Sequence, residues 1–268
     1  MTALGSRLKG IREILHFRNA IQILTNRLLF RDPLSVYRSA NLEVLTDHRA
    51  GDANGLRMCL TSETYRLLLD KLKLPETPID VLDIGANAGG FSLLLLKQGI
   101  AMRSLNAVEM HPLTYSRLLF NLRHNFKRLS PNTSLHCTEA ALTGSTGDTR
   151  IVLGAGSTGD SVNTPSPQGE PIQIRTMTFD AFFRTCELSN GTCDLCKIDI
   201  EGSEYELLES DTACELMKCK SLIIEIHGKG ERREKALLAL RQLGFSVVHD
   251  IPGNQASVFA MVNPSVGR

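Results

Sequence analysis

Two short stretches of this chain carry side chains whose types and spacing could do chemistry. In VLDIGANAGGFSLLLL, residues 81–96, an apolar run ends in Asp83, breaks into glycines and leads into an apolar helical pattern from Phe91. Strand, glycine turn and helix in that order set backbone N–H groups and a helix N-terminus beside a strand's carboxyl end, a place that binds nucleotide-like ligands. In KIDIEGSEYELL, residues 197–208, Asp199 and Glu201 stand near a second strand end, followed by Gly202. Ser203 and Glu206 then form a capping-box spacing that opens the next helix. Further on, SLIIEIH (221–227) brings Glu225 and His227 to a third strand end. In an open α/β sheet these ends share one crevice, so Asp83, Asp199 and His227 project toward one rim. Ionisable groups recurring at one rim mark a functional site. The plainer readings are that Glu201 or Glu204 complements a helix N-terminus, that Lys197 pairs with an acid across the sheet edge, and that His227 is an ordinary surface histidine.

The turn at 85–90 also bears on which ligand it could hold. A dinucleotide fingerprint asks for G-x-G-x-x-G, and here the three positions read Gly85, Asn87 and Gly90, without the middle glycine. A nicotinamide-dependent oxidoreductase would show a glycine at 87 and no acid at 83. A carboxylate two residues before the first glycine suits a cationic group, such as the amino end of S-adenosylmethionine, better than a pyrophosphate. Glu109 closes the next apolar run about 20 residues on, where an acid accepts both ribose hydroxyls. That acid serves either ligand class, so it supports a nucleoside without choosing between them. The plain alternative is a Gly-rich turn with a solvated acid.

These groups need a scaffold, and from Val81 onward the chain alternates strand-like and helix-like patterns. Strands are expected at 80–84, 104–109, 133–138, 194–199, 221–226, 245–249 and 256–262, with helices at 90–98, 112–125, 203–209 and 230–243. That rhythm implies βαβ units and a mostly parallel sheet covered by helices. The link from Asp250 to Gln255 is too short for a crossover, so strand 256–262 should run antiparallel to 245–249. An inserted strand pair, TRIVLG (149–154) and IQIRTM (172–177), flanks a Gly/Ser/Thr/Pro-rich loop at 154–171. A loop of that length in a compact domain is a lid, a binding loop or disorder. Residues 4 to about 30 read as a basic amphipathic helical segment, with Leu4, Leu8, Ile11 and Leu15, then Ile14, Ile21, Leu24 and Leu28, at helical spacing. Such a segment either packs as a cover on its own domain or binds an anionic membrane surface. We therefore expect a helical extension and cover over 1–60 and the catalytic domain over 61–268.

Composition sets further bounds. The 268 residues carry a net charge of +1, 5% aromatics and no tryptophan, which argues against nucleic acid as a partner. No apolar run is long enough to span a bilayer, and Arg7, Lys9, Arg12, Glu13 and Arg18 interrupt any secretory h-region. Seven scattered cysteines read as free thiols in a reducing cytoplasm. Cys193 and Cys196 followed by Cys214 and Cys219 loosely resemble a four-thiolate zinc pattern, but Cys196 lies in an apparent buried strand.

DIGANAGGFS, VEMHP, KIDIEGSE and IIEIH, in this order and spacing, resemble the FkbM-type S-adenosylmethionine-dependent methyltransferases. The likeness spans residues 63–262, and its specific part is the lysine-acid-x-Glu-Gly signature. It implies the Rossmann-like class I methyltransferase fold, a seven-stranded mostly parallel sheet with an antiparallel last strand. It further implies that Asp83, Gly85, Ala86, Asn87 and Gly89 cradle the methionine part, that Glu109 holds the ribose, and that Glu139 and Ala140 lie near the adenine. Met110 and His111 stand between Glu109 and Pro112, where family members often have proline directly after the acid.

The reaction expected is in-line methyl transfer to a hydroxyl of a sugar, glycan, glycolipid or other small molecule, a substrate class resting on the resemblance alone. An alcohol needs a base to take its proton; Asp199 and His227 are the candidates, with Glu201 orienting. A divalent metal bridging these acids has no dedicated motif. The rivals are the oxidoreductase, a nucleic-acid methyltransferase and a non-catalytic module that keeps the fold. A cytoplasmic protein with peripheral membrane contact through its N-terminal helix is the expected setting, and the sequence leaves the oligomeric state open.

Overall fold

A computed structural model describes residues 10–50, 52–152 and 171–266. Its centre is a seven-stranded sheet in the order β11-β12-β10-β9-β3-β4-β5. The strands are β3 (Ile79–Ile84), β4 (Met102–Glu109), β5 (Ser134–Glu139), β9 (Cys193–Ile198), β10 (Cys219–His227), β11 (Ser246–Ile251) and β12 (Ala256–Val262). β12 runs antiparallel to both β10 and β11, as its short link requires, and the remaining pairings are parallel. From β3 the chain builds outward through β4 to β5, then returns to the other side of β3 as β9. The crevice of this fold therefore opens above the carboxyl ends of β3 and β9.

β3 (IDVLDI) and β9 (CDLCKI) are buried at every position, because each has a strand on either side and helices on both faces. Alternate residues serve opposite layers. Val81, Leu105, Leu195 and Ile223 face one core with Phe91, Leu94 and Leu118 from the helices α4 (Gly90–Lys97) and α5 (Pro112–Leu129). Leu82, Ile84, Cys196 and Ile198 face the other, with Phe179 and Phe182 of α6 (Phe179–Thr185), Leu207 of α7 (Glu204–Glu209) and Leu240 of α8 (Glu231–Gln242).

The N-terminal part departs from one continuous helix. Residues 10–14 are helical, 15–19 break, and α1 (Ala20–Thr25) continues into a π-turn at Asn26–Phe30. The break has a local cause. Asn19 donates to the Val36 carbonyl at 2.8 Å and accepts from the Arg38 N–H at 3.0 Å, while the Arg18 N–H bonds the Arg38 carbonyl. The chain here is tied to a strand rather than to its own preceding turn. Leu4, Arg7, Leu8 and Lys9 lie outside the described residues.

That strand belongs to a hairpin the sequence reading did not anticipate, β1 (Leu34–Ser39) and β2 (Leu42–Asp47). Two buried asparagines on α5 hold it in place. Asn121 and Asn125 each accept one backbone N–H of β2 and donate to one of its carbonyls, at 2.7–3.0 Å. After it come α2 (Asp52–Thr61) and α3 (Thr64–Leu72), and buried Asp52 pairs with Arg117 of α5. Ile14, Tyr37, Val44, Leu56 and Leu68 thus join the same core as β3 and β4, on both sides of residue 60.

The expected inserted pair forms, as β7 (Gly147–Val152) and β8 (Pro171–Met177), joined by β6 (Ala141–Leu142) into a small three-stranded sheet. Residues 153–170 of the intervening loop lie outside the described residues.

Candidate active site

The site begins where β3 ends. Gly85, Asn87 and Gly89 all have positive φ, at +72°, +50° and +92°, so the chain turns sharply before α4. Position 85 has a further reason for glycine. A Cβ there would stand 1.8 Å from the Asp199 carbonyl oxygen, so the position is closed by protein backbone rather than kept open for a ligand. Gly89 likewise packs against Leu118 and Leu122, and a Cβ on Gly90 would meet Cys59 at 3.0 Å. Asn87 donates its backbone N–H to Glu109 Oε2 at 3.0 Å, and His111 donates to Glu109 Oε1 at 2.8 Å. Burial raises the Glu109 carboxyl above its usual range, opposed by these backbone N–H groups.

Lys197 is the hub beneath the turn. Its ammonium is almost completely buried, donates to the Gly85 carbonyl at 2.7 Å, and lies 3.6 Å from both Asp83 Oδ1 and Asp199 Oδ2. Burial alone would lower its pKa, but Asp199 and Asp83 outweigh burial and raise it. Lys197 therefore does pair with acids across the strands. Asp83 itself is fully buried, accepts the Ser92 hydroxyl at 2.6 Å, and stands behind the wall of the crevice.

Beside this hub lies a cluster of acids around His227. Its Nε2 is 3.1 Å from Glu201 and 3.9 Å from Glu225, and its Nδ1 is 3.1 Å from Glu204. Burial disfavours charge on the imidazole, yet hydrogen bonds to Glu201 and Glu204 outweigh it and lift the pKa to about 11. Burial and the Asp199 charge push Glu225 up to about 7. Glu201 holds a left-handed backbone (φ +52°), which is uncommon for a non-glycine residue and typical of constrained functional turns. The expected capping box is replaced. Ser203 makes no side-chain cap, Glu206 reaches across to the Gly144 N–H, and Glu204 Oε1 accepts the N–H groups of Ile200 and Gly202. Glu204, fully buried, takes this role because it satisfies the turn and the imidazole together.

A cavity of about 250 Å³ opens over these groups. Of the residues singled out from sequence, Gly85, Ala86, Asn87, Glu109, Ala140, Asp199 and Glu201 line it. Asp83, Gly89, Glu139 and His227 do not: Asp83 and Gly89 are buried behind it, Glu139 is exposed on the end of β5, and His227 stands behind Glu201. The sequence reading missed the part of the wall given by Asn54, Met58, Cys59 and Tyr65 of α2 and α3. No local signal marks these residues, since only tertiary packing of the N-terminal helices brings them to the crevice.

The residues fit S-adenosylmethionine. Each Glu109 oxygen has a backbone N–H partner and keeps acceptor capacity for ribose hydroxyls. Ile84, Val108, Ala140, Ala141 and Leu142 give an apolar flank for a base, and Asp199 with Glu225 gives a negative end for a cationic group. A cysteine zinc centre is not formed: among the described residues, the group of metal-type side chains that comes together is Asp199, Glu201 and His227, while Cys193, Cys196 and Cys219 are buried within the sheet.

A comparison with protein families matches residues 83–247 to the methyltransferase FkbM domain. No protein of curated function matches the chain by sequence. Similar solved structures include TYW2 of M. jannaschii with AdoMet, at 13% identity and a TM-score of 0.45, covering 87% of each chain. TrmK of M. capricolum with S-adenosyl-homocysteine is 13% identical, with a TM-score of 0.42, covering 75% of this chain and 68% of that one. Sp1610 of Streptococcus pneumoniae with S-adenosyl-L-methionine, named for a proposed tRNA (m1A22) methyltransferase activity, is 13% identical with a TM-score of 0.45, covering 75% and 72%. The family match spans more than half of the chain and sets the oxidoreductase reading aside. This chain belongs to the FkbM methyltransferase family, and it is an S-adenosylmethionine-dependent methyltransferase.

Proposed function

We propose that the protein methylates a hydroxyl oxygen of a sugar, glycan, glycolipid or other small molecule. The observation that carries this reading is the position of Asp199. It lines the cavity, keeps a partly exposed carboxylate, and is held by Lys197 at 3.6 Å. Bound S-adenosylmethionine supplies the methyl group. Glu109 and the Asn87 turn hold its ribose side, with Asp83 adding negative charge from behind the wall. Asp199 takes the hydroxyl proton as the oxygen gains its methyl group, and passes it to solvent through its exposed edge. His227 does not reach the cavity and acts on Glu201, which it positions.

Residues 52–60 complete the site as a cover, since Asn54, Gly55 and Met58 close one side of it. Ile21, Leu28, Leu29 and Phe30 are exposed beside Arg18, Arg27 and Arg31, an apolar and basic surface suited to an anionic membrane that carries a lipid-linked acceptor. Among the described residues no helix is long and apolar enough to cross a membrane. The buried free thiols fit a cytoplasmic setting.

The test supplies methyl-labelled cofactor with glycan, glycolipid, small polyol and bulk tRNA acceptors. Label should appear as an ether on a hydroxyl, and Asp199→Asn should lower turnover about 10²–10⁴-fold at saturating cofactor. Labelled RNA without labelled sugar or lipid, or full turnover in Asp199→Asn, would sink the reading.

A further inference from the structure

We propose that Asp199, Glu201 and His227 Nε2 form a binding site for one first-row divalent cation at the wall of the cofactor cavity. One donor atom from each of the three lies within 4.8 Å of the others. Metal–ligand bonds of about 2.1 Å set donors about 3–4.2 Å apart, so a small side-chain adjustment closes the set around an ion.

The arrangement behind these donors separates it from a chance group of acids. The Nδ1 of His227 faces Glu204, a fully buried carboxylate, at 3.1 Å. A carboxylate on one imidazole nitrogen fixes the ring, and the other nitrogen becomes a ligand as the ion displaces its proton to solvent, the outer-shell pattern of metal-bound histidines. The same Glu204 oxygen ties down the backbone of Ile200 and Gly202, on either side of Glu201. Its second oxygen, Oε2, is buried with no hydrogen-bond partner among the described residues. That buried charge lies against the imidazole, so more positive charge on the far side of the ring would stabilise it. Around the ring stand four carboxylates, Asp199, Glu201, Glu204 and Glu225, with Lys197 at 3.6 Å from Asp199.

Two carboxylates and one imidazole choose the ion. Calcium takes six to eight oxygen ligands, whereas a mixed oxygen and nitrogen set suits manganese and its first-row neighbours. Asp199 and Glu201 also line the cavity, so an open position on the ion would face an acceptor. This second half rests on the hydroxyl reading above. A ligated hydroxyl loses its proton more readily: its O–H bond breaks, the proton passes to the uncoordinated Asp199 oxygen, and the oxygen–carbon bond forms as the carbon–sulfur bond breaks.

The experiment titrates chelator-treated full-length protein with MnCl₂ by calorimetry and electron paramagnetic resonance. One saturable ion per chain is expected, with spin-echo modulation from a directly bound nitrogen. Glu204→Gln and His227→Gln should each weaken Mn²⁺ at least about 10-fold, Glu204→Gln through the ring it orients. Absence of a stoichiometric Mn²⁺ site, or a site without nitrogen modulation, overturns the proposal using wild-type protein alone. So does unchanged Mn²⁺ affinity in both variants. Cofactor binding and hydroxyl methylation by metal-free protein would remove the activation step while leaving the methylation reading intact. Mn²⁺ binding without any hydroxyl product would do the reverse.

Discussion

The sharpest test of the turn concerns Gly85. Replacing it with alanine adds one methyl group at a point where two main chains nearly touch. The new Cβ would lie 1.8 Å from the Asp199 carbonyl oxygen and 2.8 Å from its carbonyl carbon, far inside contact distance. Neither chain has room to retreat. The Asp199 N–H bonds the Ile84 carbonyl at 3.0 Å, and Lys197 holds the Gly85 carbonyl at 2.7 Å. Residue 85 also sits at φ +72°, which costs a non-glycine residue about 1–2 kcal/mol by itself. Overpacking in a tight interior adds about 1–3 kcal/mol, so Gly85→Ala should destabilise by about 2–5 kcal/mol.

Gly99 supplies the control. Its φ is nearly the same, +73°, yet a Cβ there meets nothing within 4 Å. Gly99→Ala should therefore cost only the backbone component, about 1–2 kcal/mol. At about 2–4 °C per kcal/mol for a chain near this size, the two variants should separate clearly in thermal melts, with urea unfolding as the check. Equal losses in the two would show that the approach of β9 to the turn is not what requires glycine at 85, and the account of the turn would fail.

Two further perturbations probe the scaffold. Arg117→Met strands the buried carboxylate of Asp52 and should cost about 3–5 kcal/mol in urea unfolding, whereas adding Asp52→Asn should recover most of it; no recovery would mean the pair is not the cause. Burial lowers the pKa of His48 to about 4, helped by Arg27 and Arg57, so the unfolded chain binds the extra proton between pH 6.5 and 4. Its contribution to stability should be complete above pH 6.5 and fall by up to about 3 kcal/mol as pH drops toward 4. The difference between wild type and His48→Gln should follow that window, and a flat difference would refute it.

The parts legible in the sequence were those set by local pattern. Apolar runs ending in Asp83, Glu109 and Lys197–Asp199 located β3, β4 and β9, and the short link after Asp250 fixed the reversal of β12. Long-range pairing was not legible. Asn19 breaks the N-terminal helix only because β1 offers it a partner, and Asn121 and Asn125 look like ordinary helix-surface residues until β2 lies against them. The cavity wall from Asn54 to Tyr65 follows from that docking, so it was invisible for the same reason. At the site itself, sequence placed Asp83 and His227 on the right rim, but burial decides what each does. Asp83 sinks behind Lys197, and His227 turns its two nitrogens to Glu201 and Glu204.

Lys197 explains how so many acids coexist there. A lysine beneath a crevice meant for a cationic cofactor is at first sight the wrong charge. Without it, Asp83 and Asp199 would set two like charges near one another at the strand ends in a medium of low dielectric, where repulsion is weakly screened. A buried ammonium 3.6 Å from each offsets both negative charges. It also donates to the Gly85 carbonyl, so the charge that sustains the acids holds the glycine turn against β9. The negative field that a cofactor meets at the cavity surface and the shape of the turn that receives it thus depend on the same buried side chain. The lysine-acid-x-Glu-Gly signature is, in this chain, one electrostatic unit rather than four separate requirements.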